Sequence, residues 1–327
     1  MYDESPTNVT IWLTIMPKLS IILLLLELEM GISLNLSQTL IEESSGSFAN
    51  LFDSSLQVNT INGLNNVLKN IFLLSSLLSL IIGTVVGLAQ IRIKRLLAYS
   101  TVSHIGFLLL ALAVNTEEST ESLIFYLIQY TITNLNAFFI LLAFGYIINS
   151  LMSSTYINSE IKFIFNLKGQ FLSNPILSLS LAICLFSMAG IPPLIGFFGK
   201  QSILFAAIGN GYFFMAIIAI VVSVISASYY LRIIRDLHSE PETKISALSS
   251  IIVPDNEAQE VVKYPKSLAM TENLSGFVPA AHKTHLILTN THAFIIASLT
   301  LSILFYVLKP SILLNSAVLS TLSLFYF

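Results

Sequence analysis

Charged residues are scarce in this chain of 327 residues: they make up 10% of it, against roughly 25% in soluble globular domains. Hydrophobic residues make up 55%, and the mean hydropathy is +0.82. These values exclude an ordinary soluble domain. The 15 Lys and Arg residues nearly balance the 18 Asp and Glu residues, so no basic surface is available for the phosphates of a nucleic acid. We therefore expect no nucleic-acid partner.

Cysteine is nearly absent, because Cys184 is the single one. This excludes an intrachain disulfide and a zinc or iron–sulfur site built from cysteines. The sequence shows no glycine-rich phosphate loop, nucleophile elbow or pair of haem ligands. The first residues, MYDESPTN, lack the basic start of a signal or transit peptide. We expect that this chain binds no metal and no cofactor, and that any redox chemistry belongs to a partner subunit.

Long apolar runs predict seven transmembrane helices, because a helix needs about 20 apolar residues to cross the hydrocarbon core. The predicted fold class is an all-α, polytopic membrane helix bundle in a single membrane domain over residues 1–327. Between Lys168 and Arg232 lie 63 residues with one charge, which suits two crossings, the first of them broken. The predicted spans are about 9–28, 71–89, 96–114, 122–148, 176–208, 212–234 and 286–308.

The basic residues also predict an orientation, since lysine and arginine collect in loops on the inner side. With residues 1–8 inside, the inner loops hold eleven basic residues and the outer loops hold only Lys69 and Lys309. The polar stretch 236–285 is then an inner loop, and the polar segment 35–66 and the C-terminus lie outside. Residues 311–327 are predicted to form an interfacial tail.

Two lysines fall inside predicted spans, where a charge costs from about 3 to over 10 kcal/mol and is a functional candidate. Lys18 lies near the middle of the first span, beside Pro17, which removes a backbone hydrogen bond. The simpler alternative is that Lys18 extends its ammonium group to the nearer interface. Lys200 follows a stretch typical of a broken helix, with Gly190, Pro192, Pro193, Gly196 and Gly199 within ten residues. Alternatively, this stretch ends one helix in a loop.

A line of polar residues joins these lysines in the predicted bundle. His104, on the third span, is a candidate proton relay because imidazole titrates near neutral pH, or else simply a hydrogen-bonded core residue. Lys94, in the basic turn QIRIKR, either supports the path or only sets the topology. Glu27 and Glu29 lie near the outer interface, where we expect both to be solvated; the alternative is that Glu27 reaches inward to a lysine and supports the path. The remaining supporting polar residues are Tyr99, Ser103, Gln129, Asn134 and Asn136.

Two segments resemble a known family. IRIKRLLAYSTVSHIGFLLLAL, residues 91–112, and AGIPPLIGFFGKQSIL, residues 189–204, are similar to the antiporter-like, proton-translocating membrane subunits of respiratory complex I, of the mitochondrially encoded fungal type. The stretch 2–21 resembles the entry into the eighth helix of that family, and the likeness covers most of residues 1–237.

The resemblance implies a fold of fourteen helices with two inverted five-helix repeats, of which this chain would lack the first seven helices. It also implies proton-transfer roles for Lys18, His104 and Lys200. The implied partners are other membrane-arm subunits, the lipid bilayer, protons and ordered water, while NADH, FMN, iron–sulfur clusters and ubiquinone lie in other subunits. The implied location is the mitochondrial inner membrane, with residues 1–8 and 236–285 in the matrix and the C-terminus toward the intermembrane space.

We therefore predict a core membrane subunit of NADH:ubiquinone oxidoreductase, enzymatic only as part of that complex. One alternative is a subunit of a multi-subunit cation/proton antiporter, since such subunits share the helix motifs. A second alternative is a structural bundle that conducts no ions.

Overall fold

The computed structural model describes residues 5–43, 51–151, 161–239 and 290–326, and these residues are almost entirely helical. The helices are α1 Thr7–Glu43, α2 Leu51–Leu88, α3 Ile93–Val114, α4 Glu117–Leu151, α5 Gln170–Ser173, α6 Pro175–Ala189, α7 Ile195–Gly209, α8 Phe213–His238, α9 Asn290–Phe305 and α10 Ser311–Tyr326. Short 3₁₀ turns cover Ile164–Leu167 and Tyr306–Leu308.

Six of these helices contain a stretch long and apolar enough to cross a membrane, with bounds Thr7–Gly31, Asn66–Leu88, Ile93–Val114, Glu117–Ile147, Phe213–His238 and Asn290–Leu308. The helices α6 and α7, each too short to cross alone, follow one another across the Gly190 to Leu194 break. The described part of the chain is thus a multi-pass helix bundle with one broken helix, and the predicted fold class is confirmed.

The structure differs from the predicted segments in three places. α1 and α2 extend beyond their apolar stretches, so helix occupies much of the segment 35–66, which was predicted as a polar segment outside the spans. The predicted tail is the helix α10, which packs along α4 with Ala317 and Thr321 buried. Of the predicted inner loop 236–285, residues 236–239 complete α8 and its cap, and the rest lies outside the described residues.

The centre of the bundle is formed by α3 and α4. In each of them 72% of the span residues are buried inside the protein, against 17% in α9. α4 contacts α1, α3, α6, α7, α9 and α10, while α3 packs mainly against α2. Apolar side chains on the outer faces of α1, α2 and α8 are exposed, as expected for helices that face lipid. Polar residues on α3 and α4 therefore face protein.

Candidate functional site

The helix break between α6 and α7 places the ammonium group of Lys200 inside the protein. Gly190 has φ 87°, a left-handed conformation that ends α6, and Gly190 and Ile191 donate their amides to the carbonyl of Phe186. Pro192 and Pro193 have no amide hydrogen and so cannot continue the helix. The last turn of α6 thereby keeps carbonyl groups that no helical amide can reach.

Lys200 supplies the missing donors. Its Nζ atom donates to the carbonyl of Met188 at 2.9 Å and to that of Ala189 at 3.0 Å, and the residue is 7% exposed. The carbonyl end of a helix carries a partial negative charge, so this is a favourable position for a cation. Nζ also lies 5.7 Å from the ring centre of Phe107 on α3. The break therefore forms a binding site for the Lys200 ammonium group.

Gly196 allows the two half-helices to approach one another. A Cβ atom at Gly196 would lie 1.7 Å from the backbone carbonyl oxygen of Ser187. The Gly196 amide donates to the Ser187 hydroxyl at 3.2 Å, which ties the start of α7 to the end of α6. The geometry of the lysine site thus depends on the absence of a side chain at this position.

His104 lies between two tyrosine hydroxyl groups from different helices. Its Nδ1 atom is 2.6 Å from the hydroxyl of Tyr126 on α4, and its Nε2 atom is 3.3 Å from that of Tyr230 on α8. The imidazole is 4% exposed and both tyrosines are fully buried. One neutral imidazole nitrogen donates and the other accepts, so this arrangement can pass a proton from one hydroxyl to the other.

Lys18 reaches the same region from α1. Its Nζ atom donates to the hydroxyl of Thr101 on α3, three residues before His104, and that hydroxyl donates to the carbonyl of Ala98 at 2.7 Å. Lys18 is half-buried, so its ammonium group points toward the bundle while its stem is partly exposed. Pro17, by contrast, lies on the exposed side of α1.

Tyr126 connects the histidine to the lysine at the break. A Cβ atom at Gly199 would lie 2.9 Å from the Tyr126 ring and 3.0 Å from Oε1 of Gln129, so both side chains of α4 lie against the residue before Lys200. Across the bundle the polar groups thus lie in the order Lys18, Thr101, His104, Tyr126 and Lys200, a set that we call the central polar line. Direct hydrogen bonds join the first pair, Lys18 and Thr101, and the pair His104 and Tyr126.

The amide side chains predicted on α4 are buried and face the interior. Asn134 donates to the Tyr130 hydroxyl at 3.1 Å, and Asn136 donates to the sulfur of Cys184 at 3.0 Å. The carbonyl oxygens of Gln129, Asn134 and Asn136 are buried and find no hydrogen-bond partner among the described residues. Such acceptors are commonly satisfied by ordered water.

Comparison with known proteins identifies the family. Residues 46–226 match the profile of the transmembrane family described as NADH:quinone oxidoreductase/Mrp antiporter. The chain belongs to this family.

Individual relatives of the NADH:quinone oxidoreductase/Mrp antiporter family support the assignment. NADH-ubiquinone oxidoreductase chain 2 of Rhizopus oryzae is 48% identical over 326 residues, which are all of this chain and 54% of the relative. The protein of the same name from Oenothera berteroana is 34% identical over 235 residues, covering 72% of this chain and 40% of the relative. The chain thus spans about half the length of the curated relatives it matches.

One solved structure supports the fold alone. A chain of the membrane-bound sulfane sulfur reductase, an archaeal respiratory membrane complex, aligns with a TM-score of 0.63 at 18% identity. The alignment covers 99% of this chain and 50% of that one.

Three other residues that were predicted to support the proton path lie away from the central polar line. Lys94 is buried, and its ammonium group donates to the carbonyl of Ser5 at 3.0 Å, at the entry to α1. Tyr99 is half-buried and its Cβ faces Gly87 of α2. Ser103 is buried, but its hydroxyl donates back to the carbonyl of Ser100 at 2.7 Å.

The glutamates of α1 correct one expectation. Glu27 is exposed and does not reach inward, whereas Glu29, which was also expected to be solvated, is 6% exposed and lies against α3 and α4. Helical phase explains the difference, because two residues along a helix turn a side chain by about 200°. Tyr126 and Tyr230 were not predicted as site residues. The spacing of Tyr126, Gln129 and Thr133 on one face of α4 is a sequence signal from which the first tyrosine could have been found.

Proposed function

We propose that this chain is part of the proton-translocating membrane arm of NADH:ubiquinone oxidoreductase in the mitochondrial inner membrane. The family, and relatives named NADH-ubiquinone oxidoreductase chain 2, support this assignment. NADH oxidation and ubiquinone reduction take place in partner subunits, which hold the FMN and iron–sulfur clusters. In the described residues there is no group of three or more metal-ligating side chains. The partners of this chain are the other membrane-arm subunits, the bilayer, protons and ordered water.

The observation that carries the proposal is the binding of the Lys200 ammonium group to the carbonyl end of α6. A charge at membrane depth is costly, and this site offsets the cost with two carbonyl groups and a helix dipole. The same bonds are weakened when Lys200 gives up its proton, so proton loss and the geometry of the break are linked. Lysine suits such a role because its protonation responds to burial and to neighbouring charges.

Lys18 and His104 are the other two proton-carrying residues of the proposed path. In the proposed sequence, a change of charge in a neighbouring subunit alters the proton affinity of Lys18. A proton then passes by way of Thr101 and ordered water to His104, and onward by way of Tyr126 toward Lys200. The unpartnered acceptors of Gln129, Asn134 and Asn136 support hydration of this line. Lys200 exchanges its proton with the opposite side of the membrane.

The test is the number of protons translocated per NADH oxidised by the assembled complex. We expect Lys200→Ala and Lys18→Ala each to lower it, and Lys309→Ala, which removes an exposed lysine, to leave it unchanged. If Lys200→Ala assembled normally and left the ratio unaltered, the role given to Lys200 would be wrong.

A cation/proton antiporter subunit is the second candidate, and the family description favours it because it includes the Mrp antiporters. Sodium-dependent proton exchange in vesicles, without copurifying NADH dehydrogenase activity, would support this candidate. A bundle with a purely structural role would show neither activity, and its lysines could be replaced without effect on pumping or assembly.

The proposed orientation places residues 1–8 and 236–285 in the matrix and the C-terminus toward the intermembrane space. Impermeant maleimide applied to inverted and right-side-out vesicles tests this orientation. A cysteine replacing Ser5 is expected to react from the matrix side, and one replacing Asn115 from the other.

A further inference from the structure

A second ionisable residue on α1, Glu29, is buried. It lies at the end of the bundle opposite the basic turn QIRIKR. Glu29 is 6% exposed and lines a small, partly open cavity with Asn115 and Thr120 and with five apolar residues: Leu26, Met30, Ala111, Leu112 and Leu123. The cavity measures about 10 Å³, the size of one water molecule. No hydrogen-bond donor contacts the Glu29 carboxylate anywhere in the described ranges. A carboxyl side chain this far inside the protein is costly when charged, and a leucine would fill the space at lower cost.

Lys69 acts on the Glu29 carboxylate by its charge, without forming an ion pair with it. No salt bridge joins the two within the described residues. Instead the Lys69 ammonium group lies 5.5 Å from the ring centre of Tyr212, at the start of α8. The other charged groups at this end are on α4: the exposed Glu117 and Glu118 and the partly exposed Glu121.

The position of Glu29 relates it to Lys18. The two residues are eleven apart, which places them about 16 Å apart along α1 and within about 20° of the same direction around it. Lys18 contacts Thr101, and Glu29 lines the same cavity as Asn115, so α1 and α3 run in the same direction. Asn115 caps α3 with φ 47°, where the chain leaves the membrane-length helix. Glu29 therefore lies at the end of the bundle, near the aqueous boundary.

We propose that Glu29 is a proton-exchange site at the Asn115 end of the bundle, on the same helix face as Lys18. Its carboxylate takes a proton from hydronium in the cavity, which leaves water and a neutral carboxylic acid, and it returns the proton by the reverse reaction. Ile22, Leu26 and Leu108 are buried between Glu29 and Lys18. Glu29 thus exchanges protons with the aqueous side, and transfer onward to the central polar line has to cross this apolar layer. Its place in translocation rests on the proposed function, whereas exchange at the carboxyl group does not.

The first experiment labels the purified complex with dicyclohexylcarbodiimide, which reacts with protonated carboxyl groups in apolar surroundings. The modified residue is located by fragmentation mass spectrometry. We expect Glu29 to be modified, and its modification to fall as the pH is raised and the carboxyl group loses its proton. Lys69→Met is expected to increase the modification, since a nearby cation favours the charged form.

Two results would overturn the proposal. One is a Glu29 that is unmodified at every pH, as a permanently charged group would be. The other is modification that does not change with pH, as for a carboxyl group sealed from water. The labelling does not depend on pumping, so it can succeed even if Lys200→Ala shows that the proposed function is wrong.

The second experiment measures protons translocated per NADH in three variants. We expect Glu29→Gln to lower the ratio at least twofold, Glu29→Asp to restore most of it, and Glu27→Gln, which alters an exposed glutamate two residues away, to have no effect. A ratio equally impaired in Glu29→Asp and Glu29→Gln would indicate a packing role and overturn the place of Glu29 in translocation.

Discussion

The Nδ1 atom of His104 lies 2.6 Å from the hydroxyl oxygen of Tyr126, and this contact joins α3 to α4 at the centre of the bundle. Tyr126 in turn lies against Gly199, the residue before Lys200. A single phenol group therefore lies between His104 on α3 and Lys200 on α7, two ionisable residues that the proposed proton path requires.

Tyr126→Phe removes this hydroxyl and little volume. The loss of one hydrogen bond is worth about 1 kcal/mol, which corresponds to about a fivefold change in a rate. We expect proton translocation by the assembled complex to slow by that factor, measured as the initial rate of vesicle acidification driven by NADH. Tyr146→Phe is the matched control, because Tyr146 is an exposed tyrosine on the same helix. Equal rates in Tyr126→Phe and the wild type would exclude Tyr126 from the path.

Gly196→Ala would place a methyl group 1.7 Å from the Ser187 carbonyl oxygen, a backbone atom that cannot move aside without opening the break. Overpacking of this kind typically costs about 1 to 3 kcal/mol, and the cost is larger where the backbone must shift. We expect the variant to accumulate poorly and to lower the melting temperature of the assembled complex. Gly145→Ala, with open space around it in α4, is the control and should melt as the wild type does. If Gly196→Ala melted as the wild type does, the contact between α6 and α7 at Gly196 would be looser than this distance implies.

Thr101→Val keeps the shape of the side chain but removes the acceptor for the Lys18 ammonium group. A hydrogen bond to a charged group contributes about 1.5 to 3 kcal/mol. We therefore expect fewer protons per NADH, with assembly retained. Thr131→Val is the control, since its hydroxyl donates to the carbonyl of Ile128 at 2.8 Å in the same way as Thr101 does to that of Ala98, without a lysine partner. A similar loss in both variants would point to a general effect of removing helix hydroxyls.

Lys94→Met is expected to affect assembly and leave coupling unchanged. Lys94 holds the carbonyl of Ser5 at the entry to α1, away from the line between His104 and Lys200. The measurement is the amount of assembled complex on native gels, together with protons per NADH in the assembled fraction. Arg232→Met, which removes an exposed basic residue of α8, should change neither. Normal assembly with an altered proton ratio would place Lys94 in the path after all.

Much of the bundle was predictable because lipid imposes a simple rule. A helix that crosses the membrane must be apolar for about 20 residues, so its position is visible in composition alone. The break between α6 and α7 was equally visible, because Gly190, Pro192 and Pro193 cannot all lie within one regular helix. The lengths of α1 and α2 were not predictable in this way, since their ends extend beyond the apolar stretches that the rule detects.

Glu29, the glutamate that faces the interior, could not be distinguished from Glu27 in this way. Glu27 and Glu29 have the same chemistry and nearly the same depth, and only the rotation of α1 against α3 and α4 distinguishes them. In the same way, Tyr126 and Tyr230 are ordinary core residues in the sequence. They meet at His104 because α4 and α8 bring together residues more than 100 positions apart in the chain.

The sequence by itself determined the membrane setting, the spans, the helix break and the two lysines at membrane depth. These features follow from local composition and from the cost of placing charge or a free backbone amide in lipid. Only the tertiary structure decided which groups bind those charges: Thr101 for Lys18, and the carbonyls of Met188 and Ala189 for Lys200. Hydrogen bonds between helices require atoms within about 3 Å, and such proximity depends on how the helices pack and rotate.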